Sequence, residues 1–193
     1  MIEKWVHWIV QVLLQENIIV EQEKEVYVYC FQTMLFQSIV YGTIIILAIS
    51  SETLLKTVAY YLGFLPIRYT AGGMHTSSHK SCFVLSIAVY LISMVILVLI
   101  PETYTQVFGA GCTICAILMV FWAAPVDHKN HIFSPEAKVK YKRQSCLLVS
   151  GMAMVFIIMA MYEIEFSTAI ALGLFCAGCS LVIGKFERRY KQC

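Results

Sequence analysis

A cysteine and two histidines lie in a short polar stretch between apolar segments of the sequence. The stretch covers residues 68–82 and reads RYTAGGMHTSSHKSC, with Cys82 at its end and His75 and His79 before it. Thiol catalysis requires a thiolate, a neighbouring base that takes its proton, and donors that stabilise a developing oxyanion. Cys82 is therefore a candidate nucleophile, and either histidine is a candidate base. The alternative is a cysteine that is buried only for packing.

The spacing leaves the choice of base open. His79 precedes Cys82 by three residues, so their side chains would be neighbours on one helix. His75 precedes it by seven residues, which is about 10 Å along a continuous helix and beyond hydrogen-bond reach. His75 can act only if the chain folds back, and the Gly72–Gly73 pair is where such a bend costs little.

A helix start is predicted just before Cys82. Ser77 and Ser78 are of the residue types that cap helix N-termini, and an apolar segment follows from Phe83. A thiol in the first turns of a helix lies near the positive end of the helix dipole, which favours the thiolate.

The composition indicates a membrane protein. The 193 residues are 60% apolar and 13% charged, and the mean hydropathy of +0.75 lies outside the range of soluble folds. The net charge of +2 does not indicate a nucleic-acid partner, and the eight cysteines lie mostly in apolar runs rather than in the pattern of a secreted disulfide framework. We expect no cleavable secretory signal. The fold class is predicted to be all-α, a polytopic membrane protein.

About six transmembrane segments are predicted, because spanning a bilayer as a helix takes roughly 17 to 25 apolar residues. They are Tyr27–Ile49, Thr53–Ile67, Phe83–Ile100, Thr105–Ala124, Cys146–Tyr162 and Phe166–Gly184. The second segment is short and is expected to end at Pro66, so that an irregular stretch dips into the membrane.

The N-terminal residues 3–15 are amphipathic at helical period. The apolar face consists of Trp5, Trp8, Ile9, Val12 and Leu13, opposite Lys4, His7, Gln11 and Gln15. Because tryptophan suits the headgroup level, an interfacial helix is predicted. The predicted organisation is a single membrane-embedded domain, 1–193, with the interfacial helix and a polar lead-in over 1–26 and a transmembrane bundle over 27–193.

The basic residues predict the orientation. With six crossings, the N-terminus, the stretch 68–81, the loop 125–145 and the C-terminal tail share one side, which then holds every Lys and Arg except Lys56. The opposite loops carry glutamates. By the positive-inside rule both termini and the candidate site face the cytoplasm of a cell membrane.

Residues of this stretch resemble the accessory gene regulator B family, membrane peptidases that process quorum-sensing propeptides. They are Arg68, Gly73 with Gly72, His75, Cys82 and, one helical turn further, Ser86. The Ala124–Pro125 start of the central loop, the chain length and the six-span layout also fit, so the resemblance covers nearly the whole chain. It implies that Cys82 is the nucleophile, that His75 rather than His79 is the general base, and that Arg68 supports the active site.

The resemblance also implies the reaction. It is that of a cysteine endopeptidase with a Cys–His dyad, which removes the C-terminal part of a short amphipathic autoinducer propeptide through a thioester acyl-enzyme. An internal cysteine of the propeptide then closes a thiolactone ring. No cofactor or metal is expected. The implied partners are the propeptide, inner-leaflet lipid and a second copy of the chain in a homodimer.

Two glutamines and the arginine have more than one interpretation. Gln32 and Gln37 lie in the first predicted span, where polar side chains usually face a bundle interior. They would orient His75, donate to an oxyanion, or form an inter-helical hydrogen bond. Arg68 would bind a substrate carboxylate or act as a topology-setting charge at a helix end.

Three lysines of the central loop are candidates for substrate contact. Lys138 and Lys140 belong to the basic run 138–143, which is typical of a topology determinant close to anionic lipid and would also dock the acidic tail of a family propeptide. Lys129 begins the sequence KNHIFSP, whereas family members often have a Lys-Pro pair there.

Two Cys-x-x-Cys pairs resemble a four-cysteine zinc site. They are Cys112 with Cys115, and Cys176 with Cys179. Both lie in predicted spans, where four thiolates on one zinc would leave net negative charge in hydrocarbon. The pairs are therefore interpreted as packing residues on helix faces.

The alternative functions are a small transporter or channel and a non-catalytic membrane scaffold. Against transport, no predicted span carries an acidic residue and no internal repeat is visible.

Overall fold

The computed structural model describes residues 2–74, 78–126 and 134–192. Within these ranges the chain forms α-helices and one 3-10 turn, Glu21–Glu23, with no β-strand. The helices are α1 (Ile2–Gln15), α2 (Lys24–Ser50), α3 (Leu54–Ala71), α4 (His79–Leu99), α5 (Glu102–Ala123), α6 (Pro135–Met161) and α7 (Ser167–Gln192). Five of them, α2 and α4 to α7, are long and apolar enough to cross a membrane. The predicted all-α, polytopic membrane class is confirmed.

The chain divides into two compact units, one of residues 1–50 and 76–90, the other of residues 51–75 and 91–193. In the first unit α1 packs against the start of α2. The buried side chains of this cluster are Val6, Val10 and Ile19, which pack with Leu13, Leu14, Val28, Phe31 and Leu35. Trp5 and Trp8 of the predicted apolar face are exposed, and their rings meet edge to face at 6.3 Å. The helix therefore has two apolar stripes, one covered by α2 and one that carries both tryptophans.

In the second unit α3 runs parallel to α7. Lys56 near the start of α3 pairs with Glu165 just before α7, with 2.9 Å between Nζ and Oε1. At the other end of the same helices, Arg68 Nη1 donates to Ser180 Oγ at 3.2 Å. Although α3 is not among the five apolar helices, its 18 residues extend about 27 Å beside α7. This is the extent that a sixth crossing requires.

Helix α5 also runs parallel to α7, and α6 runs antiparallel to α5. Thr168 Oγ1 donates to the carbonyl oxygen of Thr105 at 3.3 Å, and Lys185 Nζ donates to that of Trp122 at 2.7 Å. Gln106 at the start of α5 donates to Ala160 O at the end of α6, at 3.0 Å. The C-terminal ends of α3 and α5 and the last turns of α7 therefore lie at one end of this unit, called here the Arg68 end.

The Arg68 end agrees with the predicted sidedness. The segment after α3, the segment after α5 and the C-terminal turns of α7 were expected on one side of the membrane, and within the second unit they lie at one end. The sidedness itself, with this end in the cytoplasm, stays a prediction.

Two boundaries differ from the sequence predictions. Helix α3 continues through Pro66 to Ala71, so the predicted short segment and its early stop are wrong. Ile67 and Ala71 are buried, which keeps the last turn helical although Pro66 lacks an N–H. Helix α6 begins at Pro135, so the basic run 138–143 lies on its first turns and not in a loop. Ser134 caps it, accepting from the Ala137 N–H at 3.2 Å.

Candidate active site

Cys82 lies in the first turn of α4 and is exposed. Ser78 is the N-terminal cap of this helix, because its Oγ accepts from the Ser81 N–H at 3.2 Å. The Cys82 N–H donates to the Ser78 carbonyl oxygen at 3.1 Å, which closes the first helical turn. The thiol is therefore exposed at the capped N-terminus of α4.

Ser86 follows Cys82 by one turn of α4 and is half-buried. Residues four apart lie on the same helix face, so Ser86 and Cys82 are neighbours along α4. Its role stays a prediction.

Several of the predicted residues lie outside the described part of the chain. His75 and Lys129 belong to the segments 75–77 and 127–133, and the side chain of His79 is likewise outside it. The His75–Cys82 dyad and the substrate contact of Lys129 therefore stay predictions.

The segment directly before His75 is held in a defined geometry. Arg68 Nη2 donates to the carbonyl oxygen of Met74 at 2.6 Å, while Nη1 donates to Ser180 Oγ. The Met74 N–H donates to the Ser180 carbonyl oxygen at 2.9 Å and lies 3.3 Å from its Oγ. Both backbone polar groups of Met74 are thus bonded, one to the arginine and the other to α7.

The glycine pair makes this geometry possible. Gly72 ends α3 with a φ of 82°, and Gly73 has a φ of 153°. A Cβ on Gly73 would overlap the Arg68 guanidinium and would lie 2.7 Å from Ser180 Oγ. A Cβ on Gly72 would lie 2.9 Å from the carbonyl oxygen of Val126. A side chain at either position would clash, so the two glycines allow the chain to turn here and bring Met74 to Ser180 and Arg68.

The start of the central loop is tied to the same place. The Val126 N–H donates to the Ala71 carbonyl oxygen at 2.9 Å, at the last residue of α3. Lys185 of α7 lies over the Trp122 ring at 4.2 Å and bonds the carbonyl oxygen of that residue. Noncovalent contacts therefore hold α3, α5 and α7 together at the Arg68 end.

The two glutamines have different surroundings. Gln32 is half-buried and, together with His7, lines a partly open cavity of about 620 Å³ between α1 and the start of α2. Gln37 is exposed. Lys138 and Lys140 are exposed on the first turns of α6. The roles predicted for these residues stay predictions.

The sequence interpretation missed Ser180, Gly184 and Val126, which hold the Arg68–Met74 segment. Ser180 follows a Cys-x-x-Cys pair near the end of the last predicted span, and Gly184 ends that span. A serine and a glycine at these positions carry no distinguishing sequence signal. Their contacts come from the parallel pairing of α3 and α7, more than 100 residues apart in sequence.

The two Cys-x-x-Cys pairs lie on α5 and α7. Cys112, Cys115, Cys176 and Cys179 are free thiols. In the described ranges no group of three or more His, Cys, Asp or Glu is placed to hold a metal ion. Cys176 Sγ lies 3.7 Å from Ser93 Oγ of α4, a contact typical of helix packing.

Comparison with known proteins identifies related sequences. The family model "Accessory gene regulator B" matches residues 2–181. The chain is similar to the "Accessory gene regulator protein B" of Staphylococcus carnosus, with 27% identity over 165 residues, which are 84% of this chain and 81% of that protein. It is also similar to a "Putative AgrB-like protein" of Listeria innocua, with 28% identity over 121 residues, 61% of this chain and 56% of the relative. No solved structure matches.

Proposed function

The chain belongs to the accessory gene regulator B family, and we propose that it is a membrane-embedded cysteine endopeptidase that processes a quorum-sensing propeptide. The observation that carries the proposal is the position of Cys82, an exposed thiol in the first turn of a capped helix. The match to the family model includes Cys82, His75 and Arg68. The segment immediately before His75 is held by Arg68, a residue that the resemblance assigns to active-site support.

The proposed reaction begins with proton transfer. His75 takes the proton of the Cys82 thiol, and the sulfur attacks a peptide carbonyl carbon near the C-terminal part of the propeptide. The C–N bond breaks, the amine takes the proton from the imidazolium, and the C-terminal fragment leaves. A thioester between Cys82 and the N-terminal part of the propeptide remains.

The second step closes the ring. The thiolate of an internal propeptide cysteine attacks the thioester carbonyl, a thiolactone forms, and the Cys82 thiolate is released. One thioester replaces another, so the exchange is nearly balanced in energy. Water would hydrolyse the acyl-enzyme to a linear acid, and no thiolactone would form. A site at the membrane edge favours cyclisation because it excludes water.

The proposed partners follow from charge and placement. The propeptide lies on the inner leaflet, beside α1 with its exposed Trp5 and Trp8. Lys138 and Lys140, exposed on α6, attract the acidic tail of the propeptide and anionic lipid headgroups. By the positive-inside rule the Arg68 end and both termini face the cytoplasm. The resemblance to the family implies that the working form is a homodimer.

Selective alkylation of Cys82 tests the assignment of the nucleophile. Two single-cysteine variants are compared in membranes, one retaining Cys82 and one retaining Cys30, which is also exposed but lies within α2. The proposed dyad gives Cys82 a neighbouring base and Cys30 none, so Cys82 is expected to react with iodoacetamide at least about tenfold faster than Cys30. Equal, slow rates at both thiols would favour a transporter or a scaffold instead.

A further inference from the structure

Ser180 of α7 bonds the segment before His75 through both its hydroxyl and its carbonyl oxygen. Its Oγ accepts from Arg68 Nη1 at 3.2 Å and lies 3.3 Å from the Met74 nitrogen, and its carbonyl oxygen accepts from the Met74 N–H at 2.9 Å. Arg68 then reaches the Met74 carbonyl oxygen with its other nitrogen, Nη2, at 2.6 Å. The three residues form a closed set of hydrogen bonds, called here the Ser180 clasp.

We propose that Ser180 is a positioning residue for the catalytic base, acting through Arg68 and Met74. The inference rests on the proposed function. The Met74 carbonyl belongs to the peptide bond that joins Met74 to His75, and the atoms of a peptide bond are coplanar with both neighbouring Cα atoms. The clasp therefore fixes the carbonyl of Met74, the residue that precedes His75 in the chain.

Hydrogen bonds from a guanidinium are stronger than those between neutral groups, and a fork of two nitrogens fixes an orientation as well as a distance. Removal of Ser180 Oγ takes away the acceptor that Arg68 Nη1 has on α7 and the hydroxyl next to the Met74 nitrogen. The arginine that bonds the Met74 carbonyl oxygen is then held less firmly against α7.

Gly184, one helical turn beyond Ser180, lies against the same segment. A Cβ at this position would lie 2.7 Å from the Gly73 carbonyl carbon and 2.8 Å from the Met74 nitrogen. Helix α7 thus contacts Met74 through the carbonyl and hydroxyl oxygens of Ser180. Beside them, Gly184 has no side chain that would displace Met74. Substitution of Gly184 displaces the backbone before His75 while every polar group of the clasp is kept.

The test is the effect of S180A and G184A on propeptide cleavage by the full chain in liposomes, with kcat and KM measured separately. The probe is a synthetic short peptide with an internal cysteine and an acidic C-terminal tail. Loss of a hydrogen bond to a charged group predicts that S180A lowers kcat roughly 10- to 100-fold with KM unchanged. We expect G184A to lower kcat in the same way and S180T, which keeps a hydroxyl, to restore most of it.

The control is S145A, which removes a serine hydroxyl away from the clasp; Ser145 is buried and donates to Tyr141 O at 2.8 Å on α6. This variant should retain the wild-type kcat. Wild-type kcat in folded S180A or folded G184A would overturn the inference, as would equal losses in S180A and S145A. Cleavage by a Cys82→Ala variant, measured in parallel, would instead overturn the proposed function.

Discussion

Replacement of His75 with alanine is expected to lower the rate of propeptide cleavage by about 10²- to 10⁴-fold, the usual contribution of a general base. The thiol of Cys82 then keeps its helix N-terminus but loses the base proposed to take its proton. The His79→Ala variant is expected to keep most of the activity. The rates are measured with the same synthetic propeptide and with equal amounts of each variant in liposomes.

The histidine pair is its own control, because both residues lie within seven positions of Cys82 and both changes remove an imidazole. If the His79→Ala variant lost cleavage while His75→Ala kept it, the base would be His79. That result would also remove the role proposed for the Ser180 clasp, which lies directly before His75.

The second large effect is a loss of stability when a glycine at the close contact between α3 and α7 is replaced. A Cβ on Gly173 would overlap the carbonyl oxygen of Tyr60, and a Cβ on Gly63 would overlap that of Ile170. Since these contacts are with backbone, no rotamer change relieves them. G63A and G173A are each expected to lower the free energy of unfolding by about 1–3 kcal/mol or more. Unfolding in detergent micelles, followed by circular dichroism, measures the loss.

Three glycines of other helices serve as controls for this prediction. Among the described residues, and apart from the glycine's own helical turns, no atom lies within 4 Å of a Cβ added to Gly42, Gly111 or Gly151. Alanine at these positions should be neutral or stabilising by up to about 1 kcal/mol, since alanine has the higher helix propensity. Equal effects at all five glycines would show that α3 and α7 do not approach as closely as described.

Much of the fold follows from the sequence because long apolar runs in a membrane protein have few alternatives to the helix. The errors are at boundaries where local rules compete with packing. Pro66 predicts a helix end, but buried Ile67 and Ala71 keep α3 helical to its last turn. The start of α6 could have been predicted, because Ser134 and Pro135 are typical cap and first-turn residues. The basic run that follows them was interpreted as a loop instead.

Only the part of the candidate site that lies in one short stretch of sequence was predictable. Arg68, Gly72 and Gly73 were singled out from residue type and resemblance, and Ser77 or Ser78 was predicted to cap the helix that begins before Cys82. Ser180 and Gly184 were not identifiable, because no periodicity or motif encodes which turn of α7 faces the end of α3. Such contacts depend on the parallel pairing of two helices far apart in sequence.

The central claim is that Cys82 forms a covalent acyl intermediate. The most direct measurement is the intact mass of the protein after it is mixed with the synthetic propeptide and quenched in acid. The account predicts that wild type carries the N-terminal propeptide fragment on Cys82, that hydroxylamine removes it, and that the Cys82→Ala variant carries none and releases no C-terminal fragment. Propeptide cleavage by the Cys82→Ala variant, or an adduct on a different residue of the wild type, would contradict the account.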